Sequence, residues 1–191
     1  MPSYLEEHTP IVSRTNTMDT TGRETTVRRT AWSYLRRAGL STILEEGLIR
    51  SENQNAVRPP ERPVAWFSLN SEWEAMAYFG TAPVQGEFEV SRELAGEVGG
   101  GLARIGIDVR NAPYWIDDLR RVAGASQESM EHRIRTGEMV GANPWDWRFT
   151  PRDVPASLWT HVEVSDGRGP WVPYLGDPRW DGRQLIAPAL T

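Results

Sequence analysis

The sequence predicts a single α+β domain, and three observations predict it. One strand-like segment and one amphipathic helix open the patterned part of the chain, and strand-like segments then predominate instead of alternating regularly with helices. The doubly wound alternative lacks its signature, because neither a G-x-G-x-x-G run nor a phosphate-binding loop occurs. The composition suits one packed core: 191 residues, 39% of them hydrophobic, with nine tryptophans.

Each element follows from local pattern. Residues 1–28 are rich in Thr, Ser, Glu and Arg without apolar periodicity, which reads as a flexible N-terminal tail. Residues 29–175 form the predicted domain. Arg28 to Leu35 is aromatic enough for a first strand. Leu40, Ile43, Leu44 and Gly47 fall on one helical face, with Gly47 suited to a C-cap. Residues 51–63 are a polar, proline-rich loop, and Val64 to Ser68 is a second strand. Ser71 to Ala77 reads as a short helix capped by Asn70 or Ser71.

Residues 71–97 hold six glutamates and one arginine, which reads as a solvated acidic surface. Gly99 to Gly101 reads as a hinge or loop. Ala103 to Val109 alternates as a strand. Pro113 to Arg135 reads as helix in two pieces, broken near residues 124–126. Trp147 to Phe149 and Trp159 to Val164 are further strands, and Trp171 to Tyr174 is an edge strand. Residues 176–191 are rich in Pro and Gly and read as a C-terminal surface extension.

Composition also excludes functions. The chain has no cysteine, which removes disulfides, thiol nucleophiles and thiolate metal sites. His8, His132 and His161 match no metal-ligand spacing, so no metal site is expected. All 21 basic residues are arginine, so lysine Schiff bases and a lysine-bearing phosphate loop are impossible. A net charge of −5 argues against general nucleic-acid binding. No apolar run approaches the ~18 residues of a membrane span. The N-terminus lacks a signal pattern, so a cytoplasmic setting without membrane partners is expected.

Three blocks stand in a fixed order. The first is Trp32-Ser33-Tyr34 followed by Leu40-Ser41-Thr42-Ile43-Leu44-Glu45-Glu46-Gly47-Leu48-Ile49. The second is Val64-Ala65-Trp66-Phe67-Ser68-Leu69-Asn70 running into Ser71 to Ala77. The third is Gly141-Ala142-Asn143-Pro144-Trp145-Asp146-Trp147-Arg148-Phe149, leading to Trp159 to Val164. This order resembles the ADP-ribosyltransferase superfamily, including its small bacterial and phage members, across roughly residues 30–165. Members open with a His-Tyr-Thr or His-Gly-Thr strand. They continue through a helix ending in a similar Glu-Gly-Leu-Ile phrase and an aromatic-Phe-Ser/Thr strand, and carry a catalytic glutamate late in the chain. The resemblance implies a split β-sheet core with few flanking helices.

It also implies NAD as substrate and transfer of ADP-ribose to a protein or nucleic-acid acceptor, or to a small molecule. Such transfer breaks a glycosidic bond through an oxocarbenium-like transition state, by analogy with glycoside hydrolysis. It calls for a clamp on the nicotinamide amide, an aromatic wall and a carboxylate near the ribose. On this resemblance Tyr34 offers its main chain to the amide, and Trp66, Phe67 or Tyr34 supplies ring contact. Ser68 hydrogen-bonds the cofactor, Arg36 meets the diphosphate, and Asp146 is the carboxylate. Glu163 and Glu74 are alternative carboxylates. Two positions depart from the pattern: Ser33, expected to bind the cofactor by a hydrogen bond to a ribose hydroxyl, stands where members have histidine, and Asp146 is one methylene shorter than glutamate. These departures leave open an inactive relative acting as a binding module, or a structural, assembly-associated protein.

Overall fold

The computed structural model describes residues 17–18, 24–25, 29–51, 61–78 and 90–175. It has a mixed α+β architecture. Eleven strands are described: β1 (Thr17–Met18), β2 (Glu24–Thr25), β3 (Thr30–Arg36), β4 (Leu48–Ile49), β5 (Ala65–Ser68), β6 (Leu102–Asp108), β7 (Tyr114–Trp115), β8 (Trp147–Thr150), β9 (Val154–Pro155), β10 (Trp159–Ser165) and β11 (Val172–Pro173). The helices are α1 (Leu40–Glu46), α2 (Arg92–Val98), α3 (Leu119–Ala123) and α4 (Gln127–Met139). Among the described residues, no helix is long and apolar enough to cross a membrane.

Seven strands make one sheet in the order β11-β10-β6-β3-β5-β8-β7, and each neighbouring pair is antiparallel. β4 and β9 form a separate two-stranded ladder, as do β1 and β2. The pairing is uneven. β3 matches β6 along its whole length from Thr30 to Arg36. Against β5 it makes a single pair, Trp32 with Ser68, while Ala65, Trp66 and Phe67 pair with β8 alone. The sheet is thus nearly parted between β3 and β5.

Strand alternation assigns side chains to two faces. Ala31, Ala103, Ile105, Ile107, Ala65, Phe67, Val162 and Val164 pack on one face with Leu40 and Leu44 of α1. Gly47 ends that helix at φ 62, a left-handed conformation that favours glycine, and its N–H bonds the Ile43 carbonyl. The opposite face carries two apolar clusters, one on each side of the parting. Trp32, Tyr34, Leu102, Ala95 and Tyr78 form one; Val64, Ile116, Leu119, Trp147 and Phe149 form the other. Met76 and Ala142 pack against both.

Three expectations need correction. The 71–77 segment is no α-helix: Asn70 Oδ1 accepts from the Glu72 and Trp73 amides, and a 3-10 turn follows at Ala75–Tyr78. The acidic stretch is not wholly solvated, since Glu74 is buried and Arg92 to Val98 is helix, its N-terminus capped by Ser91. The helix after Pro113 is preceded by β7 and a 3-10 turn at Ile116–Asp118, where Asp118 caps the Trp115 amide. Gly99 to Gly101 is the loop between α2 and β6 that its glycines indicated, with Gly100 and Gly101 at φ 65 and 106. Apart from the β1–β2 ladder and Arg29 onward, the N-terminal segment lies outside the described residues, as does the 176–191 extension.

Candidate functional site

On the face opposite α1, β3, β6 and β10 build a cluster centred on Arg104. Its guanidinium lies 3.8 Å from the Trp32 ring centre and 4.4 Å from that of Trp171, a double cation–π sandwich. Its Nε donates to Glu163 Oε2 at 2.7 Å, and Nη2 lies 2.5 Å from the same oxygen. Nη1 donates to the Ser71 carbonyl and approaches Tyr34 Oη at 3.5 Å. Gly106 makes room for this stack, because a Cβ there would lie 2.9 Å from the Trp32 ring. Burial pushes the Tyr34 hydroxyl up to about 12, with the Arg104 hydrogen bond opposing that shift.

A second cluster lies at the Ser68 end of β5 and the start of β8. Ser68 is buried, and its Oγ accepts from the Asn70 amide at 3.2 Å. Asp146 closes the 3-10 turn Pro144–Asp146 immediately before β8. Asn143 Nδ2 donates to Asp146 Oδ2 at 3.0 Å, and the Asp146 carbonyl accepts from the Leu69 amide at 2.9 Å. Glu74 is 6% exposed, and its Oε1 accepts from the Met76 amide at 3.2 Å. Burial holds its carboxyl above the ordinary glutamate value; Ser68, the Met76 amide and Trp147 oppose the shift, and the Asp146 charge adds to it. Trp147 faces this group, yet its Nε1 completes no hydrogen bond although buried. Gly137 of α4 makes space for that indole, since a Cβ there would lie 2.4 Å from the ring.

The segment 70–78 covers both clusters. Tyr34 Oη donates to the Asn70 carbonyl at 2.6 Å, Arg104 to the Ser71 carbonyl, and Trp171 Nε1 to the Glu72 carbonyl at 3.0 Å. Three successive carbonyls are therefore gripped by side chains. Further on, Trp73 stacks on Tyr78 with ring centres 4.8 Å apart, and Tyr78 Oη donates to the Leu35 carbonyl at 2.7 Å.

Of the residues expected from sequence, Tyr34 and Ser68 share this face and bond segment 69–78, and Asp146, in the turn before β8, meets it through its main-chain carbonyl. Trp66 lies on the same face but packs against Trp147 and Phe149, with ring centres at 6.2 and 5.5 Å. Ser33 and Phe67 alternate onto the other face, beside Ile105 and Arg148 respectively. Arg36 shares the face of Tyr34 at the far end of β3, opposite Leu102. Glu163 is committed to Arg104.

Sequence reading missed Arg104, Trp147 and Trp171. The signal for Arg104 was a charged residue in the interior of an otherwise apolar strand, whose other charge, Asp108, stands at its end. The tryptophans gave no such signal. A shallow groove of about 440 Å³ lies on the α2 side of the covering segment, lined by Trp73, Arg92, Glu93 and Arg168 among others, and by none of Tyr34, Ser68 and Asp146. Among the described residues no group of three or more His, Asp or Glu is placed to hold a metal ion. Comparison with protein-family models, curated proteins and solved structures finds no match for this chain.

Proposed function

We propose that this chain is an ADP-ribosyltransferase-like protein that takes NAD as substrate. The observation that carries the reading is that Tyr34, Ser68 and the turn bearing Asp146 all bond the residues 69–70 that follow β5, beside the parting between β3 and β5. Glu74 joins them, and no cation is paired with either carboxyl among their described hydrogen bonds. Two carboxyl groups without a paired arginine among their described hydrogen bonds suit a ligand bearing a positively charged ring and hydroxyl groups.

In this reading the Asp146 carboxylate faces the ribose. It accepts from a ribose hydroxyl and stabilises the positive charge that develops at C1′. The C1′–N bond breaks and its electron pair leaves with neutral nicotinamide. An acceptor oxygen or nitrogen forms the new bond to C1′ and releases its proton to Asp146 or water. Tyr34 offers an aromatic wall. Arg36, two residues along the same strand face, lies about 7 Å further on by strand rise and is the cation for the diphosphate. The acceptor is a protein, a nucleic acid or a small molecule.

Incubation with millimolar NAD, followed by chromatography for free nicotinamide, tests the proposal. Wild type releases nicotinamide, and Asp146→Asn does not while keeping its thermal midpoint. Equal rates in the two proteins, or no release at all, contradict it. A second reading, an inactive relative that binds a partner, is favoured by the burial of Ser68 and by Ser33 facing away. It predicts that nicotinamide never appears, whether or not NAD shifts the midpoint.

A further inference from the structure

Arg148 is a buried cation whose hydrogen bonds all go to neutral groups. It stands in β8 opposite Phe67 of β5 and Trp115 of β7, on the sheet face that carries α1, and is 8% exposed. Its Nε donates to the Ala112 carbonyl at 3.0 Å and its Nη2 to the Pro113 carbonyl at 2.9 Å. Trp115, itself 41% exposed, covers the guanidinium, with its ring centre 3.9 Å from Cζ.

Two carbonyls and an indole fix this guanidinium without neutralising it. Nη1 bonds nothing among the described residues and is open to solvent. A fold normally pairs the charges it buries, as it pairs Arg104 with Glu163 and Arg133 with Glu61. Here the acids close by are already engaged. Asp118 accepts from the Trp115 amide at 3.1 Å and from Arg121 Nη2 at 2.5 Å. Asp108, at the end of β6, is taken by Arg110 Nε and Nη2 at 2.9 and 2.7 Å.

A second cation adds to the excess. The Val109 amide donates to the Arg29 carbonyl, which carries the β3–β6 ladder one residue beyond Thr30. Alternation then puts the exposed Arg29 on the α1 face with Ala31. Burial, and after it the charge of Arg29, hold the Arg148 guanidinium below the ordinary arginine value, and the Asp118 charge opposes that shift.

We propose that Arg148 and Arg29 form a binding site for an oxyanion of the phosphate type, free or as a monoester, with Arg148 Nη1 as the fixed donor and Trp115 as the wall that holds the guanidinium flat. The open geometry selects this class. Nε and Nη2 are occupied, so the two-pronged edge that grips a carboxylate is not free. A tetrahedral dianion instead offers separate oxygens to two separate cations. The site lies on the face opposite Ser68 and Trp147, so it stands apart from the NAD reading.

The test uses inorganic phosphate near neutral pH, at ionic strength held constant with sodium chloride, with sodium acetate as the carboxylate in parallel. The Nε–H NMR signal of Arg148 is followed, assigned through Arg148→Lys, together with the thermal midpoint. Phosphate is expected to move that signal with saturation and to raise the midpoint, and acetate to do neither. Arg29→Gln, at an exposed position, keeps the fold and binds phosphate about tenfold more weakly. Phenyl phosphate run alongside tells whether the ester or the free ion binds more tightly, and either order supports the site. The inference is overturned by an Arg148 signal that phosphate leaves in place, by a response confined to other arginines, by an equal shift with acetate, or by unchanged affinity in Arg29→Gln.

Discussion

Two polar clusters share one sheet face and one tyrosine, yet they handle charge in opposite ways. Around Arg104 each charge has its partner: the guanidinium meets Glu163, two carbonyl-bearing or hydroxyl neighbours and two indole faces. Around Glu74 and Asp146, two carboxyls sit with amides, a serine and the Trp147 indole that faces Glu74, with no arginine among their described hydrogen bonds. The first arrangement is what a fold does to make a buried charge tolerable. The second leaves interactions unmade, as a site built for another molecule would. The difference teaches where to look for function: at the unmet groups, rather than at the most conspicuous ones.

Substitutions sharpen the contrast. The largest effect is expected for Arg104→Ala, which leaves Glu163 unpaired and separates two tryptophans; the loss is about 3–5 kcal/mol of unfolding free energy, measured in denaturant. Arg104→Lys recovers only part of it, because an ammonium neither stacks flat nor forks. Gly137→Ala forces the Trp147 indole to move and costs about 1–3 kcal/mol.

Glu74→Gln reverses the sign. Glu74 titrates above its unfolded value, so the stability it contributes is present at and below pH 4.5 and is lost as pH rises through the raised value. The variant matches wild type in acid and is the more stable of the two above neutrality, as pH-dependent thermal midpoints will show. Asp146→Asn is smallest, within about 0.5 kcal/mol, because the group is half-exposed and keeps an acceptor for Asn143. A large loss there would make Asp146 a structural residue and erase the contrast.

How far the sequence revealed this depends on the range of each interaction. α1 was legible because Leu40, Leu44 and Gly47 carry period, burial and cap within eight residues. β6 was legible from alternation, although it is buried on both faces, by α1 on one and by Tyr78 and by Ala95 of α2 on the other, contacts distant in sequence or made legible only by packing. The Tyr34, Ser68 and Asp146 grouping was reachable because each stands in a strand or at its edge. The placement of Ser33 was not, since one residue of register decides the face, and the pairing that sets it, Ser33 opposite Ile105, is made with a strand distant in sequence. Glu74 looked solvated because its neighbours in sequence are acidic. What buries it is Trp147 and Ser68, brought together by strand pairing. The segment after Asn70 looked helical until its side chain took the two amides that would have opened the helix.

The most direct test of the unmet site is NMR of the tryptophan indole N–H signals during NAD titration, assigned by single Trp→Phe variants. The Trp147 signal should shift with saturating behaviour, while Trp159, whose Nε1 bonds the Val154 carbonyl beneath the other sheet face, should stay in place. A Trp147 signal unmoved at millimolar NAD would contradict the assignment of this cluster as the NAD site.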